Sequence, residues 1–316
     1  WYKKSIKGPA DGNFLEYYQV LKQVLQEHRF DGIILENLAT LNAVDTIRKY
    51  AKGAKIIYDA HNVDSKLGEV SIDQFGMKKE YLVQIEKAES TLHRTVDGVL
   101  TCSKNDHDEF VSINEGKLPI TVIPNGVNIG NLYDQAVESQ KPEHIMFCGT
   151  LGSPPNSEGL HWFYKKVWPK VSKSLPYLKL MIVGSGKVPT NLNGITSDTS
   201  IDFIGTVEDV KPWYNKAAIS IVPLLTGSGT RLKILEAMSF GVPVISTSKG
   251  AEGIEYTNNE NILIADDENL FAETIIRLLR DKEKRIHLQQ NARKLVEENY
   301  DWNVIGIALK TSTNGN

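Results

Sequence analysis

The stretch Thr226–Thr247, TGSGTRLKILEAMSFGVPVIST, follows a short apolar run, Ile219–Val222 (ISIV), and ends in another, Pro243–Ser246 (PVIS). Between the two apolar runs lie a glycine-rich turn with Gly227 and Gly229 and a helix expected to begin near Thr230. Strand, turn, helix and strand in that order make one unit of a parallel sheet. A helix N-terminus behind a glycine turn presents free backbone N–H groups and the positive end of the helix dipole, a combination that favours phosphate. On the helix, Gly229, Lys233, Glu236 and Phe240 fall on one side, and Leu232, Leu235 and Met238 on the adjoining face. Lys233 is then placed to neutralise a phosphate, and Glu236, ~4.5 Å further along the axis, to accept hydrogen bonds from a vicinal diol. The alternative is that the two form only a solvent-exposed helical pair worth about 0.2–0.5 kcal/mol.

Working outward, β-branched runs alternate with helix-length amphipathic stretches along the whole chain, which predicts an α/β protein built from parallel sheets. In the first half the runs are Asp31–Leu35, Lys55–Asp59, Gly98–Cys102 and Ile120–Ile123. A helix between the second and third carries Tyr81, Ile85, Ala88 and Leu92 on one face and charge on the other. The pattern stops at Pro124-Asn125-Gly126, and the polar stretch through Pro142 reads as a linker. Strands resume at His144–Cys148, Leu178–Val183, Ile201–Ile204, Ile219–Val222, Pro243–Ser246 and Ile262–Ala265, and helices fill Asn269–Asn299. The expected domains are therefore 1–125 and 126–299, with a last helix in 300–316 packing back on the first.

The 316 residues suit two domains, and 41% hydrophobic with 24% charged residues excludes disorder as the overall state. Thirty-six basic against 39 acidic side chains leave a net charge of −3, so no global field recruits nucleic acid. The longest apolar runs, such as AAISIVPLL from Ala217, are far shorter than the roughly 20 residues of a bilayer-spanning helix. Cys102 and Cys148 sit singly inside apolar runs, which points to a reducing, cytoplasmic setting. The chain starts at Trp1 with neither methionine nor a leader pattern, as a fragment would.

The run LEAMSFGVPVIST resembles the donor-binding helix of retaining glycosyltransferases of family 4. Flanking pieces occur in the order found in that family: VIPNGV from Val122, FCGTLGSPPNSEGLHWF from Phe147, LMIVGSG from Leu180, FIGTVEDVKPWYNKA from Phe203 and the closing YDWNVIG. The resemblance implies the GT-B fold, two Rossmann-like domains facing across a cleft, and a metal-independent hexosyltransferase that needs no cofactor beyond its co-substrate, a UDP- or GDP-linked sugar. It implies that Glu236 binds the ribose, that the backbone around Thr230 and Arg231 binds the diphosphate, and that Val207 meets the base through its main chain. Gly149, Thr150 and Asn156 would line the donor pocket with Gly184, Gly227, Ser228, Gly229 and Leu232. In YDAHNVDS, His61 matches the histidine that the family places near the reacting sugar. With Arg231 and Lys233 supplying charge, these three are the catalytic candidates. For a lone histidine after a strand, a structural role is the alternative.

Three departures bear on these expectations. The earlier glutamate of a pair eight positions apart falls at Ser228, which leaves the sugar open, and the loop after the strand at His144–Cys148 has neither Arg nor Lys, so Arg231 and Lys233 would carry the diphosphate's charge. No strand and glycine-rich loop precede Phe30, where the family begins. Gly184-Ser185-Gly186 lacks the third glycine of a dinucleotide fingerprint, because position 189 is Pro189, and the Walker pattern fails at Met181. Asp106-His107-Asp108 spells a metal-binding DxD but opens a helix after Ser103, where acidic residues serve as caps. No Cys or His cluster has zinc spacing, and no metal is expected. Expected partners are the nucleotide sugar and a glycan or lipid-linked acceptor, with peripheral contact at the inner membrane face. The helix with Lys78, Lys79, Lys87 and Arg94 would touch anionic lipid, although Glu80, Glu86 and Glu89 interleave as on a solvated face. Other functions compatible with the same residues are a sugar-nucleotide epimerase and a non-catalytic nucleotide-sugar-binding subunit.

Overall fold

The computed structural model describes residues 12–66, 78–129, 142–188, 190–192, 194–227, 229 and 231–314. Most of the expected linker, and both Ser228 and Thr230, lie outside them. The chain divides into two compact units, Trp1–Pro124 and Asn125–Asn316, one residue from the expected boundary.

The first unit runs α1 (Gly12–Glu27), β1 (Gly32–Leu35), α2 (Val44–Tyr50), β2 (Lys55–Ala60), α3 (Lys79–Ser90), β3 (Gly98–Thr101), α4 (Lys104–Ile113) and β4 (Ile120–Val122). Its four strands are all parallel, in the order β1-β2-β3-β4. Along β2 the pleat buries Ile56, Tyr58 and Ala60, while Ile57 and Asp59 on the other face are only half-buried. The Asp106-His107-Asp108 run lies in the first turn of α4, and Ser103 is the cap: its hydroxyl accepts from the Asp106 N–H at 3.1 Å and donates to the Asp106 carboxylate at 2.6 Å.

Helix α3 differs from its expected pattern at Glu89, which is completely buried rather than part of the charged face. Its carboxylate accepts from the backbone N–H of Asp64 at 2.7 Å and of Ser65 at 3.2 Å. A fully buried carboxylate persists only where donors meet it, and here the donors belong to the turn that leaves β2. Glu89 thus ties α3 to the chain just after His61.

The second unit runs β5 (His144–Cys148), α5 (Pro154–Trp162), α6 (Trp168–Ser174), β6 (Lys179–Val183), β7 (Ile201–Gly205), α7 (Lys211–Tyr214), β8 (Ile219–Val222), α8 (Leu232–Ser239), β9 (Val244–Ser246), β10 (Leu263–Ile264), α9 (Glu268–Arg280), α10 (Lys282–Asn299) and α11 (Trp302–Asn314). A π-helical turn, Phe163–Val167, joins α5 to α6 ahead of Pro169, whose ring nitrogen has no hydrogen to donate. All six strands are parallel, in the order β10-β9-β8-β5-β6-β7. Covered on both faces, they are continuous apolar runs. In β5, Ile145 and Phe147 face a core with α5, α6 and α9, while Met146 faces one with α8 and α10.

Residues 300–316, expected to pack back on the first unit, group instead with the second. The Val127 N–H donates to the Tyr300 carbonyl at 2.8 Å, the Tyr300 hydroxyl accepts from the Glu255 N–H at 2.8 Å, and Gly126 lies so close to Trp302 that a Cβ would stand 2.8 Å from the indole ring. These bonds make the YDW segment the lock between the start and the end of the second unit.

Burial raises the Glu89 carboxyl from its ordinary 4.5 to about 7, with the Ser65 and Asp64 hydrogen bonds opposing that shift. A folded-state value above the unfolded one means that the folded chain holds the extra proton between about pH 4.5 and pH 7, so stability falls as pH rises through that window. The contribution is on the order of 3 kcal/mol. Urea denaturation of Glu89→Gln should therefore give a flatter stability profile than wild type across these pH values, and parallel profiles would show that Glu89 does not titrate there.

Candidate functional site

Because every strand of the second sheet points the same way, all the loops that follow the strands gather on one edge. The sheet is built outward from β5, first through β6 to β7 and then, on the other side, through β8 and β9 to β10. At such a reversal two adjacent loops diverge and leave a crevice beyond the strand ends, where open α/β sheets bind ligands. The loops at this reversal are the ones after β5, carrying Gly149 and Thr150, and after β8, carrying Gly227 and Gly229.

Glycines set how closely these loops approach. A Cβ on Gly184, just after β6, would stand 1.9 Å from the carbonyl oxygen of Gly149, so the two backbones pack directly on each other. A Cβ on Gly149 would in turn meet the Lys233 Nζ at 2.6 Å and the Asn156 Nδ2 at 2.9 Å. Gly227 has φ +100°, a left-handed conformation, and lies against the Arg231 guanidinium. In consequence the loop after β5, the first turn of α5 and the start of α8 close on one small region.

Helix α8 starts at Leu232, with Arg231 as its N-cap residue, two positions later than expected. Its buried face is Ile234, Leu235, Ala237, Met238 and Ser239. Leu232, expected on the apolar face of the helix, is instead 48% exposed. Burial lowers the basicity of Arg231, and the charge of Glu252 opposes that effect.

Lys233 and Glu236 are not the exposed helical pair that their spacing also allowed. The Lys233 ammonium donates to the Asn156 Oδ1 at 2.6 Å and lies 5.0 Å from the centroid of the Phe147 ring. The Asn156 amide group in turn donates to the Thr150 carbonyl at 2.9 Å, which fixes the orientation of the side chain. Desolvation pulls the Lys233 pKa down to about 8, assisted by Arg231 and opposed by Cys148 and Glu236. Glu236 accepts from the Tyr214 hydroxyl at 3.1 Å, and burial raises its pKa while Tyr214 and Lys233 lower it. The result is a half-buried cation beside a glycine turn and a half-buried carboxylate one turn further along the same helix.

Of the other expected residues, Val207 follows β7 on the same edge, half-buried against the core that also holds α8. His61 is exposed at the end of β2 in the first unit, its Nδ1 3.9 Å from the Cys102 thiol. The structure therefore brings Gly149, Thr150, Asn156, Gly184, Gly227, Arg231, Lys233 and Glu236 together within the second unit. Sequence reasoning missed Tyr214, Phe147 and Cys148 as neighbours of the site. The stretch around Tyr214 was legible as a piece with known counterparts, but no spacing rule links a residue before β8 to a glutamate on the helix after it.

Residues 142–281 match the family described as "Glycosyl transferases group 1". A 44.6 kDa protein of the cps region of Klebsiella pneumoniae is 35% identical over 170 residues, covering 50% of this chain and 42% of that protein. A GDP-mannose-dependent monoacylated alpha-(1-6)-phosphatidylinositol monomannoside mannosyltransferase of Corynebacterium glutamicum is 29% identical over 155 residues, covering 46% of this chain and 41% of the relative. The aligned stretches thus span less than half the length of these relatives. Among solved structures, sucrose-phosphate synthase from Thermosynechococcus elongatus superposes with a TM-score of 0.75 at 17% identity, over 97% of this chain and 79% of its own. The second unit thus carries a region similar to the group 1 glycosyl transferases, and the chain has the α/β architecture of GT-B glycosyltransferases, two Rossmann-like halves each built on a parallel sheet.

Proposed function

We propose that the second unit binds the nucleoside diphosphate of a sugar nucleotide, and that the protein transfers a hexose from it, with retention of anomeric configuration, to a glycan or lipid-linked glycan. The observation that carries this reading is the pairing of charges on α8. A cation held at the rim of a glycine turn suits a diphosphate, and a carboxylate one helical turn away suits the ribose hydroxyls of the same nucleotide. The match of residues 142–281 to a glycosyl transferase family and the mannosyl transfer named for the Corynebacterium relative support it.

Breaking the anomeric C–O bond develops positive charge on the sugar and negative charge on the departing diphosphate. In this reading Arg231, Lys233 and the backbone N–H groups at the start of α8 stabilise the leaving group as preorganised electrostatics, without a divalent metal. Desolvation makes the cations costly until the anion arrives, so more of their interaction is available to the anion than at an exposed site. The acceptor attacks the face that the diphosphate leaves, and the departing phosphate takes the acceptor's proton, so no carboxylate nucleophile takes part. His61 then orients sugar or acceptor hydroxyls, and Val207 meets the base. The reaction is placed in the cytoplasm at the inner face of the membrane. Among the described residues no helix is long and apolar enough to cross a bilayer. On α3, Lys79, Glu80, Glu86 and Lys87 are exposed while Glu89 is not, which removes one acidic group from the surface proposed to meet lipid.

Calorimetric titration with UDP and GDP tests the donor site directly. Glu236→Ala should weaken binding of the preferred nucleotide about ten- to hundredfold, since it removes a carboxylate acceptor worth roughly 1.5–3 kcal/mol. Unchanged affinity would reject the assignment. Lys233→Met should lower turnover with the cognate sugar nucleotide and also change the pH dependence of nucleotide binding. In wild type the ammonium loses its proton near pH 8, so affinity should fall as pH rises through that value. The variant should lack this step, and a step of equal size in both proteins would assign it to another group.

A further inference from the structure

Lys233 and Glu236 are oppositely charged, three positions apart on one helix, and largely withdrawn from water, conditions under which the two side chains attract each other. Each is nevertheless bonded elsewhere, to a neutral partner from a different element. The ammonium goes to Asn156 at the start of α5, and the carboxylate goes to Tyr214 at the end of α7. A direct ion pair would satisfy both charges and leave neither for a ligand.

Both partners are rigid. Tyr214 has no exposed surface, and its ring stacks on Phe240, the residue closing α8, with centroids 5.1 Å apart and planes 25° apart. Its hydroxyl also meets the Cys148 thiol at the end of β5. That hydroxyl has one hydrogen to give, and Glu236 Oε2 receives it. Asn156 is pinned by its own bond to the Thr150 carbonyl, and the Phe147 ring lies under the ammonium. The bond from Tyr214 falls on one oxygen of the carboxylate, Oε2.

We propose that Tyr214 and Asn156 are positioning residues that hold the Glu236 carboxylate and the Lys233 ammonium apart, keeping the first open to the vicinal diol of a nucleotide and the second to its diphosphate. The inference rests on the donor-site reading above and adds to it a cause for the separation. It also moves Asn156 from the ligand contact expected from sequence to the support of one. The groups facing Lys233 are Arg231 and Glu236 on its own helix and Cys148 on β5, with Tyr214 of α7 facing Glu236; Glu252 faces Arg231. If the hydroxyl is removed, the carboxylate is free to swing to Lys233. The pair then forms, and the ammonium holds its proton to higher pH.

The test compares UDP with 2′-deoxy-UDP, and GDP with 2′-deoxy-GDP, by calorimetry from pH 6.5 to 9.5 on wild type, Tyr214→Phe and Asn156→Ala. Tyr214→Phe keeps the stacked ring and removes only the oxygen. The expected result is that wild type prefers the ribonucleotide, that Tyr214→Phe loses most of this preference, and that the pH midpoint for binding, near 8 in wild type, moves upward in both variants. The 2′-deoxy nucleotide controls for folding, because its binding to Tyr214→Phe should fall much less than that of the ribonucleotide. Equal loss for the two nucleotides with an unmoved midpoint, or no change at all, would overturn the positioning role while leaving the donor site standing. If wild type bound neither pair, the donor-site reading itself would fail and this inference with it.

Discussion

The feature on which the rest of the second unit depends is the direction in which its sheet grows. Strand β5 is laid down first and sits between β8 and β6, so the chain must cross over β5 after completing β7. That crossover separates the loop after β5 from the loop after β8 while keeping both on one edge. Had β8 been added beyond β7, Asn156 and Lys233, 77 residues apart in sequence, would sit on helices following strands too far apart for the 2.6 Å bond between them. The polar site is therefore a product of strand order before it is a product of any side chain.

Within that frame, close backbone approach governs the chemistry. Gly184 packs on the Gly149 carbonyl, and Gly149 leaves room for the Lys233 ammonium beside Asn156. The ammonium is pulled from water by this packing and its basicity falls, the direction expected when desolvation outweighs nearby opposite charge. Glu236 is displaced the other way by the same cause. Two groups whose charged forms are both disfavoured gain from a ligand carrying an anion and a diol together, and a nucleotide diphosphate carries both. The first unit shows the same logic with a different result. There a buried carboxylate, Glu89, finds its donors in the protein's own backbone at Asp64 and Ser65, so it serves the fold near His61 rather than a ligand.

Much of this was legible in the sequence. The ten strands of the described residues lie within a residue or two of the runs that predicted them, and in the second unit most of these strands are covered on both faces and cannot conceal their composition. The glycine turn before α8 and the start of a helix after Ser103 were readable for a similar reason, since local backbone demands act on neighbouring residues. Leu232 was misplaced because helical spacing describes a face without saying how far the neighbouring layer extends. At the first position of α8 the side chain remains 48% exposed among the described residues. Glu89 was misread as solvated because a charge on a helix is ordinarily exposed, and only a turn 25 residues earlier in the chain supplies its donor at Asp64.

The sequence by itself determined the alternation of strands and helices, the break between two units near Pro124, and the placing of Lys233 and Glu236 on one side of α8. These follow from periodicity and backbone preference, which operate over a few residues. The tertiary structure alone decided that Lys233 and Glu236 would not pair with each other. Their partners, Asn156 and Tyr214, are 77 and 22 residues away in the chain, and they meet the helix only because β5 and β8 lie side by side. Whether two charges attract each other or stand ready for a ligand depends on the third group nearest to each, and in this protein the packing of separate elements supplies that group.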